Sequence, residues 1–195
     1  MKKQEIYTYI GGGKYRGKKL LLPSLETTRS TKSILKESFF NTIQFDIIDV
    51  PFVEVFGGSG SMGIEAVSRG ASHAYFIEKD KQAYGILKNN CQSVAPDKFT
   101  CIAGDTFVKL PELVQNLKSP AYFYFDPPFE FREGMQSIYD KCVELLSMIP
   151  QEKIVMAVFE HMSSLNMPDS LGAFTCKKSK KFGKSTLSYY LPATL

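Results

Sequence analysis

Short apolar segments alternate with helical segments from residue 51 onward, and this alternation constrains the fold more than any other feature. Apolar runs at 52–56, 73–77, 99–103, 122–125 and 154–159 are followed by polar or glycine-containing loops, and helical patterns at 64–69, 81–90, 107–116 and 134–147 separate them. Repeated strand–helix units require a parallel sheet with right-handed crossovers, and such sheets bind ligands at the carboxyl ends of their strands. The sequence therefore predicts an α/β domain with its ligand site at that edge.

The two ends of the chain depart from this alternation. Residues 6–10 and 16–22 flank three glycines and predict a small hairpin, and a helix is expected from Ser30 or Thr31 to about residue 43. The apolar face of that helix is predicted to contain Ile34, Leu35, Phe39 and Phe40. Residues 174–179 and 186–191 predict an antiparallel hairpin added to the parallel sheet. We therefore divide the chain into a basic N-terminal hairpin and helix, 1–43, and an α/β domain, 44–195.

A glycine-rich loop, Gly58-x-Gly60-x-x-Gly63, follows the first strand of the alternation, and Glu78 ends the next strand. Glycine lets a ligand approach the backbone closely, and a carboxylate at the following strand end can bind both hydroxyls of a ribose. The pattern predicts a ligand that carries a nucleoside.

Acidic side chains around this loop indicate which kind of nucleoside it binds. Glu54 precedes the loop, and Asp105 and Asp126 end neighbouring strands. A pyrophosphate needs free backbone N–H groups and would be repelled by these acids, whereas a sulfonium cation would be attracted. We therefore expect S-adenosylmethionine rather than NAD, and a glycine turn without a ligand is the remaining alternative.

The segment Phe125-Asp126-Pro127-Pro128-Phe129 ends an apolar strand abruptly. Two consecutive prolines fix φ and remove two backbone donors, so the carbonyls of Asp126 and Pro127 are expected to point outward. A carboxylate and a carbonyl beside an aromatic ring suit a planar base with an exocyclic amine. The alternative is a strand end closed by a Pro-Pro turn.

Basic residues concentrate at the two ends of the chain. Residues 1–41 carry a net charge of +6, residues 42–176 carry −7 and residues 177–195 carry +5. Basic flanks attract a polyanion such as a nucleic acid, although a charge run is also typical of a solvated face. The lysines between 177 and 184 fit a phosphate contact and a solvated turn equally well.

Cysteine spacing and hydropathy exclude other classes. The four cysteines are scattered without metal-ligand spacing, so we expect free thiols and no metal site. The chain has no apolar run long enough to cross a bilayer and no signal-peptide pattern at residue 1. We expect a soluble, cytoplasmic protein.

Motifs at 10–12, 15–20, 29–31, 36–41, 55–71, 76–80, 126–129 and 181–186 occur in the order of one known family. Together they resemble the RsmD family of bacterial methyltransferases, which modify guanine N2 in small-subunit (16S) ribosomal RNA. The resemblance implies a Rossmann-like class I methyltransferase fold, with a seven-stranded, mostly parallel sheet whose last strand is antiparallel. The chain departs from the family at Ser30, Glu54 and Gly57, where Pro, Asp and Ala are usual.

The resemblance also implies three groups of site residues. The residues expected to bind the target base are Asp126, Pro127, Pro128 and Phe129. Those expected to bind S-adenosylmethionine are Glu54, Phe56, Gly58, Ser59, Gly60, Gly63, Glu78, Lys79, Asp105, Thr106 and Asp126. Those expected to bind RNA are Lys14, Arg16, Lys18, Lys19, Arg29, Thr31 and Lys32. The expected partner is ribosomal RNA or an assembly intermediate of the small subunit, with no membrane and no metal involved.

Three other functions remain open on the sequence. A nicotinamide-dependent oxidoreductase would use the same glycine loop for a dinucleotide. A DNA adenine-N6 methyltransferase would use the same Asp-Pro-Pro-aromatic cluster. A non-catalytic RNA-binding or assembly protein would retain the basic ends without a working pocket.

Overall fold

The structure is a computed structural model that describes residues 5–23, 30–128 and 136–193. Its strands are β1 (Ile6–Tyr9), β2 (Lys19–Leu22), β3 (Phe52–Glu54), β4 (Ala74–Glu78), β5 (Phe99–Ala103), β6 (Ala121–Phe125), β7 (Ile154–Met162), β8 (Ser170–Leu171), β9 (Phe174–Phe182) and β10 (Ser185–Pro192). Its helices are α1 (Ser30–Thr42), α2 (Ser61–Ser68), α3 (Lys81–Val94), α4 (Thr106–Asn116) and α5 (Gln136–Ser147).

The strands form one large sheet and one small one. Within the described residues the large sheet has eight strands in the order β5-β4-β3-β6-β7-β10-β9-β8, and β1 pairs with β2 separately. Strands β3 to β7 are parallel to one another, and β10 lies antiparallel between β7 and β9. The predicted parallel sheet and its antiparallel last strand are thus confirmed, with the two-residue β8 added at one edge. The order reverses between β3 and β6, which is where open α/β sheets bind ligands.

Both faces of the large sheet are covered by apolar side chains. Along β6, Tyr122 and Tyr124 belong to the cluster that α1, α2 and α3 cover, whereas Phe123 and Phe125 belong to the cluster under α4 and α5. All four rings are at least 98% buried, because a parallel sheet needs helices on both sides. The carboxyl ends of β3 and β6 are therefore held rigidly by packing on both faces of the sheet.

Helix α1 contributes to the same core as the sheet. The Phe39 ring lies 5.3 Å from the Tyr124 ring and 6.1 Å from the Phe52 ring, and Leu35 and Phe40 are also buried. The prediction that Ile34 shares this face is wrong, because 60% of Ile34 is exposed. Successive residues of a helix differ by about 100°, so Ile34 lies outside the stripe that begins at Leu35.

The N-terminal hairpin packs against the end of α2. Ser68 accepts hydrogen bonds from the N–H of Lys14 at its carbonyl (2.7 Å) and of Tyr15 at Oγ (2.9 Å), and its hydroxyl donates to the Gly12 carbonyl (2.6 Å). Gly13 has φ +78°, and a Cβ there would lie 1.8 Å from the Ser68 carbonyl oxygen. The turn therefore requires glycine at 13, and β2 begins at Lys19 rather than at residue 16 as predicted.

Replacing Gly13 tests this packing. Gly13→Ala adds the steric overlap with Ser68 to the cost of a positive φ, and we expect a loss of about 3 kcal/mol or more in the free energy of unfolding. Gly17→Ala is the matched control, since Gly17 has φ +84° and a Cβ there would have no atom within 4 Å; its loss should be about 1 kcal/mol. Urea denaturation measures both, and equal losses would contradict the packing.

Candidate functional site

A cleft of about 1550 Å³ opens at the carboxyl ends of the parallel strands. Its walls include every acid that the sequence placed at a strand end: Glu54, Glu78, Asp105 and Asp126. Small-molecule sites usually occupy about 300–1,000 Å³, so this cleft has room for more than one ligand group. The structure thus brings the predicted acids together in one cleft, and Glu54 and Asp126 lie where the strand order reverses.

The three glycines of the loop have different roles. A Cβ on Gly60 would lie 2.6 Å from Leu87, and a Cβ on Gly63 would lie 2.4 Å from Phe76, so both glycines allow α2 to pack closely. Gly58 has φ +52°, and nothing lies within 4 Å of the position its Cβ would take. The open space over Gly58 is therefore the place where a ligand can approach the backbone.

Glu54 binds the first turn of α2. Its Oε2 accepts a hydrogen bond from the N–H of Gly63 at 2.8 Å, and only 6% of the residue is exposed. Burial and, to a smaller extent, Asp126 raise the pKa of Glu54, the N–H groups of Gly63 and Met62 and the charge of Lys36 lower it, and the net pKa is about 8. A helix N-terminus carries partial positive charge, which offsets part of the cost of burying this carboxylate.

This contact bears on the dinucleotide alternative. A pyrophosphate binds in a glycine-loop fold by using the free N–H groups at the helix N-terminus. Here a side chain of the protein itself accepts from that turn, and it is acidic. The site therefore suits a cationic or neutral group next to Glu54 better than a diphosphate.

Glu78 lies across the loop from Glu54. Its two carboxylate oxygens accept from the N–H of Gly58 and of Asp80, both at 2.7 Å. A carboxylate has about four lone-pair positions, so both oxygens can still accept from a ligand hydroxyl. Fixed in this way above open Gly58, Glu78 is suited to bind the ribose of a nucleoside.

The opposite rim is formed by the start of α4. Asp105 caps that helix through the N–H of Phe107 (3.0 Å) and forms an ion pair with Lys79 (2.8 Å). Lys79 and the Phe107 N–H lower the pKa of Asp105. The hydroxyl of Thr106 donates to the Val55 carbonyl, so this predicted ligand residue is also part of the loop's internal bonding. The remaining predicted ligand residues on the cleft wall are Phe56, Gly58 and Ser59.

Asp126, Pro127 and Pro128 line the cleft beside Glu54. The Asp126 side chain is 28% exposed, so its carboxylate can be reached from the cleft. Among the described residues, no backbone N–H donates to the carbonyl of Pro127. Phe129 lies outside the described residues.

Lys32 has a different place from the one that the sequence indicated. We expected it on an RNA-binding surface, but its Nζ lies 3.0 Å from Asp126 Oδ2 and also binds Glu160. Glu160, on β7, is 1% exposed and also accepts from the Tyr124 hydroxyl at 2.8 Å. Burial and then Asp126 raise the pKa of Glu160, Lys32 and the Tyr124 hydroxyl lower it, and the net pKa is about 7.

The other predicted RNA-binding residues form a basic edge on the hairpin. Lys14, Arg16, Lys18 and Lys19 are exposed, and the ammonium groups of Lys14 and Lys18 both lie 5.4 Å from the centre of the Tyr15 ring. Arg16 also lines the cleft. Arg29 and the side chain of Thr31 are outside the described residues.

Two buried polar residues connect this hairpin to the glycine loop. Asn90 donates from Nδ2 to the carbonyls of Leu21 (2.9 Å) and Ser59 (2.8 Å), and its Oδ1 accepts from the Leu21 N–H (2.9 Å). Glu65, on α2, forms an ion pair with Lys36 of α1 and accepts from the Gly11 N–H. The hairpin, α1 and the glycine loop are therefore held in one arrangement.

Sequence analysis missed Glu160, Asn90 and Glu65. Glu160 follows the apolar run at 154–159 as Glu78 follows its own strand, so the rule for strand-end acids would have found it. Asn90 and Glu65 lie within helices and carry no local signal, because their partners are distant in sequence.

Neither a metal cluster nor a membrane-spanning helix occurs in the described part of the chain. No group of three or more His, Cys, Asp or Glu residues there could hold a metal ion. None of the described helices is long and apolar enough to cross a membrane.

Comparisons with known proteins agree with this geometry. Residues 8–191 match the family described as Conserved hypothetical protein 95. The Ribosomal RNA small subunit methyltransferase D of Haemophilus influenzae is 34% identical over 137 residues, which cover 68% of this chain and 69% of that protein. The Escherichia coli protein yhhF has a similar structure, with a TM-score of 0.77 and 24% identity over 97% of this chain and 100% of its own. M. jannaschii TYW2, solved in complex with AdoMet, has a TM-score of 0.58 and 13% identity over 98% of this chain and 89% of its own. These structures confirm the Rossmann-like class I fold.

The buried carboxyl group of Glu54 predicts a pH dependence of stability. Its pKa rises from 4.5 to about 8 on folding, so ionising it costs the folded state free energy. The contribution of protonated Glu54 to the stability of the folded state is fully present below pH 4.5 and is lost as the pH rises through about 8. The unfolding free energy of Glu54→Gln minus that of the wild type should therefore increase by roughly 3–5 kcal/mol from pH 5 to pH 9.

Urea denaturation at both pH values measures this difference. Glu112→Gln, which changes an exposed glutamate on α4, controls for the general effect of removing a negative charge. A difference between Glu54→Gln and the wild type that stays constant with pH would contradict the burial argument.

Proposed function

The chain belongs to the Conserved hypothetical protein 95 family, the RsmD family of ribosomal RNA methyltransferases, and on this premise we propose its reaction. We propose that it transfers a methyl group from S-adenosylmethionine to the exocyclic N2 of a guanine in small-subunit (16S) ribosomal RNA. The observation that carries the proposal is the position of Asp126 and Pro127, which share one cleft with Glu54, Gly58 and Glu78.

The cleft residues fit S-adenosylmethionine. Gly58 leaves open space for close approach, Glu78 offers acceptors to ribose hydroxyls, and Asp126 and Glu54 are the acids beside which a cationic ligand would lie. A cation bound there would favour the ionised form of Glu54 and lower its raised pKa. When bound, S-adenosylmethionine supplies a methyl group on a positively charged sulfonium, which is already an activated leaving group. Lys79, Asp105 and Thr106 would complete the site from its opposite rim.

The acceptor side would work by hydrogen bonding and placement. The amine of guanine is a weak nucleophile because its lone pair is delocalised into the ring. In our proposal the Asp126 carboxylate and the Pro127 carbonyl accept its two N–H groups, which draws the nitrogen towards a tetrahedral geometry and localises the lone pair. That lone pair would form the bond to the methyl carbon as the carbon–sulfur bond breaks and its electrons remain on sulfur as a neutral thioether. The nitrogen would then release one proton to solvent. Phe129 would stack on the base after it leaves its helix, a contact worth about 1–3 kcal/mol.

The basic hairpin would bind the RNA. Lys14, Arg16, Lys18 and Lys19 are exposed on the hairpin, and Arg16 lines the cleft. In our proposal they contact phosphates and guide the base inward. We retain Arg29 and Thr31 as further RNA contacts, and residues 1–43 as the RNA-binding segment. The substrate would be the RNA itself or an assembly intermediate of the small subunit in the bacterial cytoplasm.

Replacing Asp126 tests the chemistry. With Asp126→Ala we expect kcat to fall roughly 100-fold or more, because the amine loses its charged acceptor. The Kd for S-adenosylmethionine should rise by less than about tenfold, since the glycine loop and Glu78 remain. The assay is transfer of labelled methyl to small subunits from a strain lacking the protein, followed by mapping of the labelled base; the donor Kd comes from calorimetry.

The outcomes separate the candidate functions. Label on guanine N2 in 16S RNA supports the proposal, whereas label on adenine N6 of DNA would assign the cluster to the other amino-methyltransferase class. NADH binding without S-adenosylmethionine binding would make the protein an oxidoreductase. Unchanged activity in Asp126→Ala would refute the role of this carboxylate.

Reversing the charges on the hairpin tests whether the hairpin binds RNA while the cleft binds the methyl donor. Changing Lys14, Arg16 and Lys18 together to Glu should lower RNA affinity by about 100-fold and reduce its salt dependence, because phosphate contacts are lost. Donor affinity should be unchanged. The same change at Lys88, Lys98 and Lys118, which are exposed away from the cleft, is the control for net charge. A similar RNA-affinity loss in both triple variants would count against a specific RNA-binding hairpin.

A further inference from the structure

A chain of charged and polar contacts connects the core of the sheet to the cleft. It runs from the Tyr124 hydroxyl to Glu160 (2.8 Å), from Glu160 to the Lys32 ammonium, and from that ammonium to Asp126 Oδ2 (3.0 Å). The four residues come from β6, β7 and α1 and from the segment after β6. Of these four residues, only Asp126 takes part in the proposed methyl transfer.

Glu160 provides the fixed point of this chain. It is 1% exposed, and both its oxygens are bound, one by Tyr124 and the other by Lys32. Tyr124 is itself held by the Phe39 ring at 5.3 Å and the Phe52 ring at 6.3 Å. The ammonium group of Lys32 is therefore attached to a rigid part of the core rather than extended into solvent.

Charge balance explains why a cation is needed here. Asp126 and Glu160 are two carboxylates with the Lys32 ammonium between them. Without it, their mutual repulsion and the burial of Glu160 would favour proton uptake or separation. Burial alone would lower the pKa of Lys32, but the two carboxylates outweigh it and raise that pKa. Lys32 thus remains an ammonium and holds both acids in place.

The hydrogen bond from Lys32 involves only one oxygen of Asp126. Lys32 binds Oδ2, and within the described residues no hydrogen bond reaches Oδ1. We propose that Lys32 is a positioning residue: it fixes Oδ2 of Asp126 against Glu160 and so aims Oδ1 at the amine of the target base. The inference rests on the proposed methyl transfer and adds a residue that acts through Asp126 rather than on the substrate.

This assignment differs in its consequences from an RNA-phosphate contact. A lysine that binds phosphate contributes to RNA affinity, so its loss raises KM. A lysine that orients the acceptor of the amine acts when the base is already bound, and its loss lowers kcat, because a small misplacement of a reacting group is costly. Loss of a phosphate contact therefore raises KM and leaves kcat unchanged, whereas loss of a positioning residue lowers kcat and leaves KM unchanged.

The test compares three variants in the methyl-transfer assay, two at Lys32 and one control at Lys88. With Lys32→Met we expect kcat to fall roughly 30-fold or more while KM for the RNA substrate changes less than about threefold. Lys32→Arg keeps the charge and its donors and should recover most of kcat. Lys88→Met removes the same charge from α3, where Lys88 is exposed away from the cleft, and its kcat should fall less than about threefold.

Several results would overturn the inference. These are a raised KM with unchanged kcat in Lys32→Met, an equal loss of kcat in Lys88→Met, or no recovery in Lys32→Arg. Circular dichroism and the donor Kd establish that each variant is folded. If Lys32→Met does not fold, Lys32→Gln, which keeps an N–H donor towards Glu160, should show the same selective loss of kcat.

A crystal structure of the Lys32 variant separates this inference from the proposed function. If the wild type methylates no RNA, the proposed function fails, whatever Lys32 does. The positioning role is then judged by the Asp126 carboxylate alone. It should turn away from its wild-type orientation in Lys32→Met or Lys32→Gln and keep it in Lys88→Met. An unmoved Asp126 in the Lys32 variant would refute the positioning role independently of any activity.

Discussion

The contact between Glu54 and the first turn of α2 is the constraint on which the rest of the cleft depends. Glu54 ends β3, and only a short glycine loop separates it from the helix whose N–H groups it binds. This hydrogen bond fixes the path of the loop. The close packing of Gly60 on Leu87 and of Gly63 on Phe76 fixes how near the loop and α2 lie to α3 and β4. Gly58 is left facing open space, and its N–H binds Glu78. A carboxylate buried in this way costs free energy that the helix terminus only partly offsets, which is typical of a site kept for binding rather than for stability.

The acids at this edge of the sheet are each compensated in a different way. Glu78 is bound by backbone N–H groups, Asp105 by Lys79 and a helix N-terminus, and Asp126 by an ammonium that Glu160 shares. Carboxylates brought together without such partners would neutralise themselves by taking up protons. Because the partners differ, each acid keeps its own direction and some accepting capacity. The cleft can therefore receive hydroxyls on one side and an amine on the other while remaining attractive to a cation.

Much of the fold and part of the site could be predicted from the sequence. Strand–helix alternation is a local pattern, and topology alone places the ends of parallel strands at one edge, so the cleft and its four predicted acids follow from it. The predicted buried face of α1 was wrong at Ile34, because packing on Phe52 and Tyr124 decides which side of this helix is buried. The pairing of Lys32 with Glu160 joins residues 128 positions apart, and a basic residue on a helix gives no local sign of such a partner. Asn90 was missed for the same reason, since its partners lie on β2 and in the glycine loop.

Asn90 uses one amide to bind two main-chain segments of different function. Leu21 belongs to the strand that follows the basic turn, and Ser59 belongs to the loop that surrounds the nucleoside cleft. These segments cannot move apart without leaving a buried amide unsatisfied, which is costly. Thermodynamic linkage then requires that whatever stiffens one segment also favours order in the other, with equal strength in both directions. If the hairpin binds a polyanion as we propose, Asn90 would couple that binding to a nucleoside in the cleft through a single side chain.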